Sequence, residues 1–243
     1  MTTMAERVRE VLDRLERRGS RRAREEMRTR YGIVAPKAYG VAMGVIQQVA
    51  KSLGRDHALA AALWATGWYE ARLLAAYVDQ PERVTAAQMD RWAKDFDNWG
   101  VCDTLCFCLF DRTPHAWRKV EQWSGRRDEF VKRAAFALLA SVALHDQRTG
   151  DAPFLRTLPL IERAAADERN FVKKGVSWAL RSVGRRSLPL NTRAVELARR
   201  LAASDEPAAR WVGKDALREL TSPKVKARLT GRRQSPAGRS GSD

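Results

Sequence analysis

The sequence predicts an all-α fold built from repeated pairs of antiparallel helices. Two segments, which begin at Phe130 and Phe171, are near-copies of each other 41 residues apart. A weaker third copy follows, in which Asp215-Ala-Leu-Arg repeats the pattern of Trp178-Ala-Leu-Arg. Strand signals are scarce, and Ala, Leu, Arg and Glu dominate. Because HEAT and armadillo units run about 40 to 47 residues, we expect a HEAT-like helical-repeat solenoid, a superhelix of antiparallel helix pairs with a concave basic groove.

Glycine, proline and capping residues mark the helix boundaries in the first third of the chain. Pro36 suits the first turn of a helix, and Asp56 can cap the next one, which Gly67 ends. The helices expected here span 3–30 with a break at Gly19-Ser20, 36–52, 56–66 and 69–78.

Similar residues mark the helix boundaries in the rest of the chain. Asp97-Asn98 is a capping pair for a helix that starts at Trp99, and the two near-copies fall on long helices. The helices expected in this part span 85–96, 99–110, 113–123, 127–145, a segment from Asp151, 167–183, 189–203 and 207–220. We expect residues 1–230 to form a single HEAT-like domain and the Gly/Ser/Arg-rich residues 231–243 to form a disordered basic tail.

The composition favours a protein that binds a polyanion. Lys and Arg number 45 against 29 acidic residues, which gives a formal net charge of +16 and attracts nucleic acid. Charge that serves only solubility is the alternative explanation. No apolar run reaches the ~20 residues that span a bilayer, and no signal peptide opens the chain. We therefore expect a cytoplasmic monomer without membrane contact, whose clustered Cys102, Cys106 and Cys108 are buried free thiols.

The helix around Trp178 combines an apolar stripe with a cationic one. The apolar stripe, which must face neighbouring helices, consists of Val172, Val176, Ala179 and Val183. The second stripe, suited to phosphate contacts around an aromatic ring, consists of Lys174, Trp178, Arg181 and Arg185. Arg133 takes the place of Lys174 in the preceding repeat, so a solenoid would align the cations in a track. A solvated charged face explains the charges alone, but the embedded tryptophan favours binding.

One carboxylate lies on an apolar helix face. Trp99, Asp103, Cys106 and Phe110 share a face at helical spacing, and Asp103 is its only charge. A carboxylate in such a place is costly unless it is paired or functional. It lies within the first two turns, where the helix dipole helps to keep it ionised. Two explanations stay open at this point: an ion pair, for which Arg133 is a candidate, and a catalytic role.

These motifs together resemble those of a known enzyme family. Three motifs carry the resemblance: Trp99-x3-Asp103, Arg133 within Val-Lys-Arg-Ala-Ala-Phe, and Trp178-Ala-Leu-Arg181. They resemble motifs of the DNA alkylation repair (AlkD-like) family of HEAT-repeat DNA glycosylases. Further matches are the Gly32-Ile33…Pro36 turn and Leu63-Trp64 followed by Glu70. The matches run in the expected order from about residue 30 to residue 220. Asn98 and Gly100 depart from the family pattern on either side of Trp99.

The resemblance implies excision of N3- and N7-alkylated purines from duplex DNA. It implies Asp103 as the catalytic carboxylate, and Trp99 and Trp178 as aromatic walls of the cleft. It also implies Arg133 as a cleft arginine that contacts DNA or supports Asp103. Alkylated purines are cationic and leave as neutral bases, so one carboxylate that stabilises the oxocarbenium-like sugar and orients water can suffice.

No metal or organic cofactor is required by this reaction, and the expected partner is double-stranded DNA that contains alkylated bases. The residues expected to bind the DNA are Arg133, Lys174, Arg181 and Arg185. Two other functions stay open: a non-catalytic HEAT-repeat protein that binds nucleic acid, which would not need Asp103, and a solenoid that binds an acidic protein.

Overall fold

The protein is described by a computed structural model that covers residues 2–231. Fourteen α-helices and two short 3-10 helices, Pro81–Arg83 and Phe110–Arg112, make up its secondary structure, and these residues contain no strand. The α-helices are α1 Met4–Glu16, α2 Arg21–Thr29, α3 Met43–Leu53, α4 His57–Ala65, α5 Tyr69–Val78, α6 Ala86–Lys94, α7 Trp99–Cys108, α8 Ala116–Ser124, α9 Glu129–His145, α10 Asp151–Ala164, α11 Asn170–Gly184, α12 Leu188–Ala202, α13 Pro207–Leu220 and α14 Pro223–Gly231. The expected all-α class is confirmed.

The chain divides into two compact units, Met1–Ala134 and Ala135–Asp243, and the division falls within α9. The expected tail, 231–243, lies outside the described residues except for Gly231, which ends α14. Among the described residues, no helix is both long enough and apolar enough to cross a membrane.

A series of aromatic contacts joins several helices of the first unit. Trp64 of α4 stacks on Trp92 of α6 with ring centroids 4.4 Å apart and planes within 5°. Phe110, which is fully buried, lies 6.5 Å from Trp92 and 6.2 Å from Trp123 of α8. Each of these large rings removes roughly 150–250 Å² of surface from water. The cluster therefore fixes the positions of the helices that flank α7.

The helix expected over 36–52 begins only at Met43, as α3, and residues 30–42 form a loop that leads into it. The carboxylate of the fully buried Glu70 accepts hydrogen bonds from the backbone amides of Tyr39, Gly40 and Val41 at 2.8–3.2 Å. Gly40 has a φ of +78°, which residues with a β-carbon rarely adopt. A buried carboxylate from α5 therefore stabilises an extended loop where the local sequence favours a helix.

Other helix starts agree with the sequence, because capping is local. Asp56 accepts from the Leu59 amide at 2.9 Å, and Asn98 accepts from the Val101 amide at 3.0 Å. The helix expected over 99–110 ends earlier, at Cys108, because Leu109 leaves helical geometry with φ −136° and ψ −60°. Of the three cysteines, all free thiols, Cys102 and Cys106 are buried and Cys108 is half-buried.

The second unit consists of the rest of α9 together with α10–α14. The apolar stripe of α11 is fully buried, as expected, at Val172, Val176, Ala179 and Val183. α14 is an additional helix that the sequence reading did not foresee. Val225 and Leu229 bury its inner face against the unit.

Candidate active site

The start of α7 positions the two residues at the centre of the candidate site. Trp99 is the first residue of the helix and Asp103 follows one turn later, and both are partly exposed. Cys106, one turn further on, is fully buried. The helix face that carries Asp103 therefore runs from the core at Cys106 to the surface at Asp103, whose side chain retains 19% of its exposure.

Arg133 of α9 holds the Asp103 carboxylate through two parallel hydrogen bonds. Its Nε donates to Oδ1 at 2.8 Å and its Nη2 donates to Oδ2 at 2.6 Å. The guanidinium lies beneath the surface, because the Arg133 side chain is only 8% exposed. The structure thus shows the ion pair between Arg133 and Asp103; the catalytic role of Asp103 and a DNA contact of Arg133 stay predictions. A bidentate pair of this kind fixes the orientation of the carboxylate.

The helices that carry the pair are packed closely. The thiol of Cys102 donates to the Phe130 carbonyl, and the thiol of Cys106 donates to the Ala134 carbonyl, both at 3.5 Å. These contacts hold α7 alongside the first turns of α9. The positions of Asp103 and Arg133 are therefore set by the backbone as well as by their own ion pair.

Burial raises the pKa of the Asp103 carboxyl above its ordinary value, and the attraction of the Arg133 guanidinium offsets only part of that effect. The ionised carboxylate is thus poorly hydrated. In such an environment its field acts on a nearby positive charge with less dielectric screening than in water.

A loop from the start of the chain fixes the Trp99 ring. The indole Nε1 donates to the Tyr31 carbonyl at 2.8 Å. The Tyr31 side chain is 46% exposed, and the Arg30 guanidinium lies 5.4 Å from its ring centroid. Sequence reasoning did not single out Tyr31, although it directly precedes the Gly32-Ile33 motif. The hydrogen bond places this aromatic residue beside the candidate site.

Gly100 is required by the packing at this helix start. A β-carbon there would lie 2.5 Å from the Tyr69 hydroxyl and 3.1 Å from Cδ1 of Ile33. The departure from the family pattern at this position therefore has a structural cause, since Tyr69 and Ile33 occupy the space that a larger residue would need.

The other predicted site residues lie on α11 in the second unit. Trp178 is half-buried and Lys174 is exposed. Arg181 pairs with Glu219 at 2.6 Å and with Asp215 at 3.4 Å. Arg185 pairs with Glu219 at 2.9 Å. Acidic residues of α13 therefore neutralise part of the positive charge expected on this stripe.

The structure brings Trp99, Asp103 and Arg133 together in the first unit. Trp178, Lys174, Arg181 and Arg185 share one face of α11 in the second unit. That Trp178 forms a wall of the same cleft, and that these cations contact DNA, stay predictions. Over residues 2–231, no cluster of three or more His, Cys, Asp or Glu side chains is arranged to hold a metal ion.

Comparison with known proteins bears on the family and on the fold of the chain. A family model described as DNA alkylation repair enzyme matches residues 11–220. A solved structure, described as a new family of proteins related to the HEAT-like repeat DNA glycosylases with affinity for branched DNA structures, superposes with a TM-score of 0.73. It is 20% identical, and the match covers 91% of this chain and 95% of that chain, which supports the HEAT-like fold. No curated protein sequence matches the chain significantly.

Proposed function

We propose that the chain, which belongs to the DNA alkylation repair enzyme family, is a DNA glycosylase for alkylated purines. It would hydrolyse the N-glycosidic bond of N3- or N7-alkylated purines in duplex DNA. One observation carries the proposal: a partly exposed carboxylate, Asp103, is held by the buried Arg133 one helical turn from the fixed indole of Trp99.

The chemistry requires a negative charge more than it requires a proton donor. An alkyl group on N3 or N7 makes the purine cationic, so the base leaves as a neutral molecule without protonation. Positive charge then develops on the deoxyribose as the bond to C1′ lengthens. A carboxylate near C1′ stabilises this charge and can orient the water that attacks it.

Arg133 supports this role by fixing Asp103 in place. An ionised carboxylate offers about four lone-pair sites, and the two hydrogen bonds from Arg133 occupy two of them. The Asp103 side chain keeps 19% of its exposure, so a sugar and a water would approach the carboxylate from its solvent side. A carboxylate that is oriented in advance does not have to reorganise as the transition state forms. We therefore assign Arg133 as a positioning residue.

Trp99 of α7, and Trp178 with the cations of α11, have proposed roles in binding the DNA and the sugar. The indole of Trp99, fixed by its bond to Tyr31, can pack against the sugar and present its π face to the cationic transition state. We propose Trp178 as a second aromatic wall. Lys174, Arg181 and Arg185 would bind backbone phosphates, and the two arginines would exchange their carboxylate partners for phosphate oxygens.

The test is release of alkylated base from methylated duplex DNA, followed by chromatography of the free purines. Wild type should release N7-methylguanine or N3-methyladenine, and Asp103→Asn should release them about 10²- to 10³-fold more slowly. Asp97→Asn is the matched control, because it makes the same charge change at an exposed position just before α7. Absence of base release by folded wild type on every alkylated duplex tested would overturn the proposal.

A second candidate is a protein that recognises DNA structure without cutting a glycosidic bond. Two observations favour it: the ion pair already neutralises Asp103, and the similar solved structure is described as having affinity for branched DNA. In that case wild type would bind a four-way junction more tightly than a linear duplex of equal length. Asp103→Asn would then leave both affinities unchanged.

A further inference from the structure

The most exposed tryptophan of the chain lies outside the candidate active site. All eight tryptophans are among the described residues. Trp211 of α13 is the most exposed of them, with 39% of its surface accessible. Tryptophan side chains are highly buried on average, but a single exposed ring does not by itself mark a binding surface. The surroundings of Trp211 decide what its exposure means.

Trp211 has a defined place in the packing of α11 against α13. Three contacts join the two helices in register: Lys173 Nζ lies 5.2 Å from the Trp211 ring centroid, Ser177 donates to Asp215 at 2.6 Å, and Arg181 donates to Glu219 at 2.6 Å. In every pair the partners are 38 residues apart. Trp211 therefore continues a regular row of contacts at the N-terminal end of α13.

The two ends of this row differ in charge. At the C-terminal end, Arg181 and Arg185 are paired with Asp215 and Glu219. At the N-terminal end, Lys173 lies over the indole, and the exposed Lys174 follows it in the chain. Neither lysine forms an ion pair with any residue in 2–231. The exposed aromatic ring thus lies beside cations whose charge is not compensated.

Repeat position strengthens the link between Trp211 and the predicted DNA contacts. Arg133, Lys174 and Trp211 are each the fifth residue of their helices, α9, α11 and α13. The third repeat therefore has an aromatic ring where the second has an exposed cation. At the position where the second repeat has a cation proposed to bind phosphate, the third repeat thus offers a surface on which a base can stack.

From these observations we infer that Trp211, with Lys173 and Lys174, forms a stacking site for an unpaired base of DNA. The exposed part of the indole stacks on the base, and the lysines neutralise the phosphates that flank it. Stacking on an aromatic ring tolerates any base, because every base has a π face. The inference rests on the proposed DNA binding of the chain, and it assigns to this surface a preference for DNA with unpaired nucleotides.

The test compares two fluorescently labelled duplexes of equal length, one intact and one with a bulge of unpaired thymidines. Wild type should bind the bulged duplex more tightly. Trp211→Ala should weaken that binding about 5- to 150-fold, as expected for the loss of one stacked base, and should leave the intact duplex nearly unaffected. Trp211→Phe, which keeps an aromatic face, should restore most of the difference.

Leu155→Ala provides the control, because it removes another exposed apolar side chain of the second unit. It should bind both duplexes like wild type. Equal affinity of wild type and Trp211→Ala for the bulged duplex would overturn the stacking site and leave the proposed glycosylase in place. Failure of wild type to bind either duplex would overturn both.

Discussion

Replacing Arg133 by glutamine should destabilise the protein and make its stability strongly dependent on pH. Removing one partner of a buried ion pair typically costs about 3–5 kcal/mol, because the other charge is left without compensation. Since the Asp103 side chain keeps 19% of its exposure, water can reach part of the carboxylate. We therefore expect a loss near the lower limit, about 3 kcal/mol at neutral pH.

The sign of the pH dependence follows from the pKa of Asp103. Burial already raises this pKa in the wild-type protein, and loss of the guanidinium raises it further. A carboxyl whose pKa is higher in the folded than in the unfolded state binds its proton more readily when folded. The stability lost in Arg133→Gln should therefore be greatest above the folded-state pKa and should shrink as the pH falls through it.

Urea unfolding at neutral and mildly acidic pH measures the lost stability directly. The proteins compared are wild type, Arg133→Gln, Asp103→Asn and the double variant. The double variant should be more stable than the sum of the two single losses predicts, because neither partner is then left charged and alone. A loss below about 0.5 kcal/mol in Arg133→Gln, within the range of ordinary surface changes, would refute the reasoning. So would a loss that is equal at both pH values.

Three further outcomes are expected. On acidification, the rate of base release should fall at a pH above the ordinary pKa of an aspartate, because burial raises the pKa of Asp103 and only the ionised form is active. A rate that stays constant down to the ordinary aspartate pKa would contradict this. Gly100→Ala should lower stability by about 1–3 kcal/mol through contact of the new methyl group with the Tyr69 hydroxyl. Adding Tyr69→Phe should recover part of that loss in thermal unfolding. Glu70→Gln should cost about 1.5–3 kcal/mol, the range for hydrogen bonds to a charged group, and should increase hydrogen exchange at the amides of residues 39–41.

Helices and their starts could be predicted from the sequence because their determinants are local. The expected range of α5, 69–78, agrees with the structure at both ends. Asp56 and Asn98 cap their helices through amides only three residues away. The register of the repeats could also be predicted, since the near-copies place Arg133 and Lys174 at equivalent positions of α9 and α11.

The loop over 30–42 could not be predicted because its stabilising partner is distant in sequence. Glu70, about 30 residues away, supplies the carboxylate that the amides of residues 39–41 require. The segment read alone favours a helix after Pro36. A tertiary contact of this kind overrides local propensity.

The candidate site was predictable where it depended on helical spacing and not where it depended on distant contacts. Trp99 and Asp103 are one turn apart on one helix, so their proximity was evident. The choice between a paired and an unpaired Asp103 required the packing of α7 on α9. The contact of Trp99 with Tyr31, 68 residues away, and the pairing of Arg181 with Glu219 gave no local signal.

The central claim is that Asp103 stabilises the positive charge that forms on the sugar when the base leaves. The most direct test is the single-turnover rate of base release from DNA with one N7-alkylguanine, with excess protein and measured occupancy. With equal occupancy, Asp103→Asn should release the base about 10²- to 10³-fold more slowly than wild type, the loss typical for one preorganised electrostatic group. Equal rates in the two proteins at equal occupancy would contradict the claim.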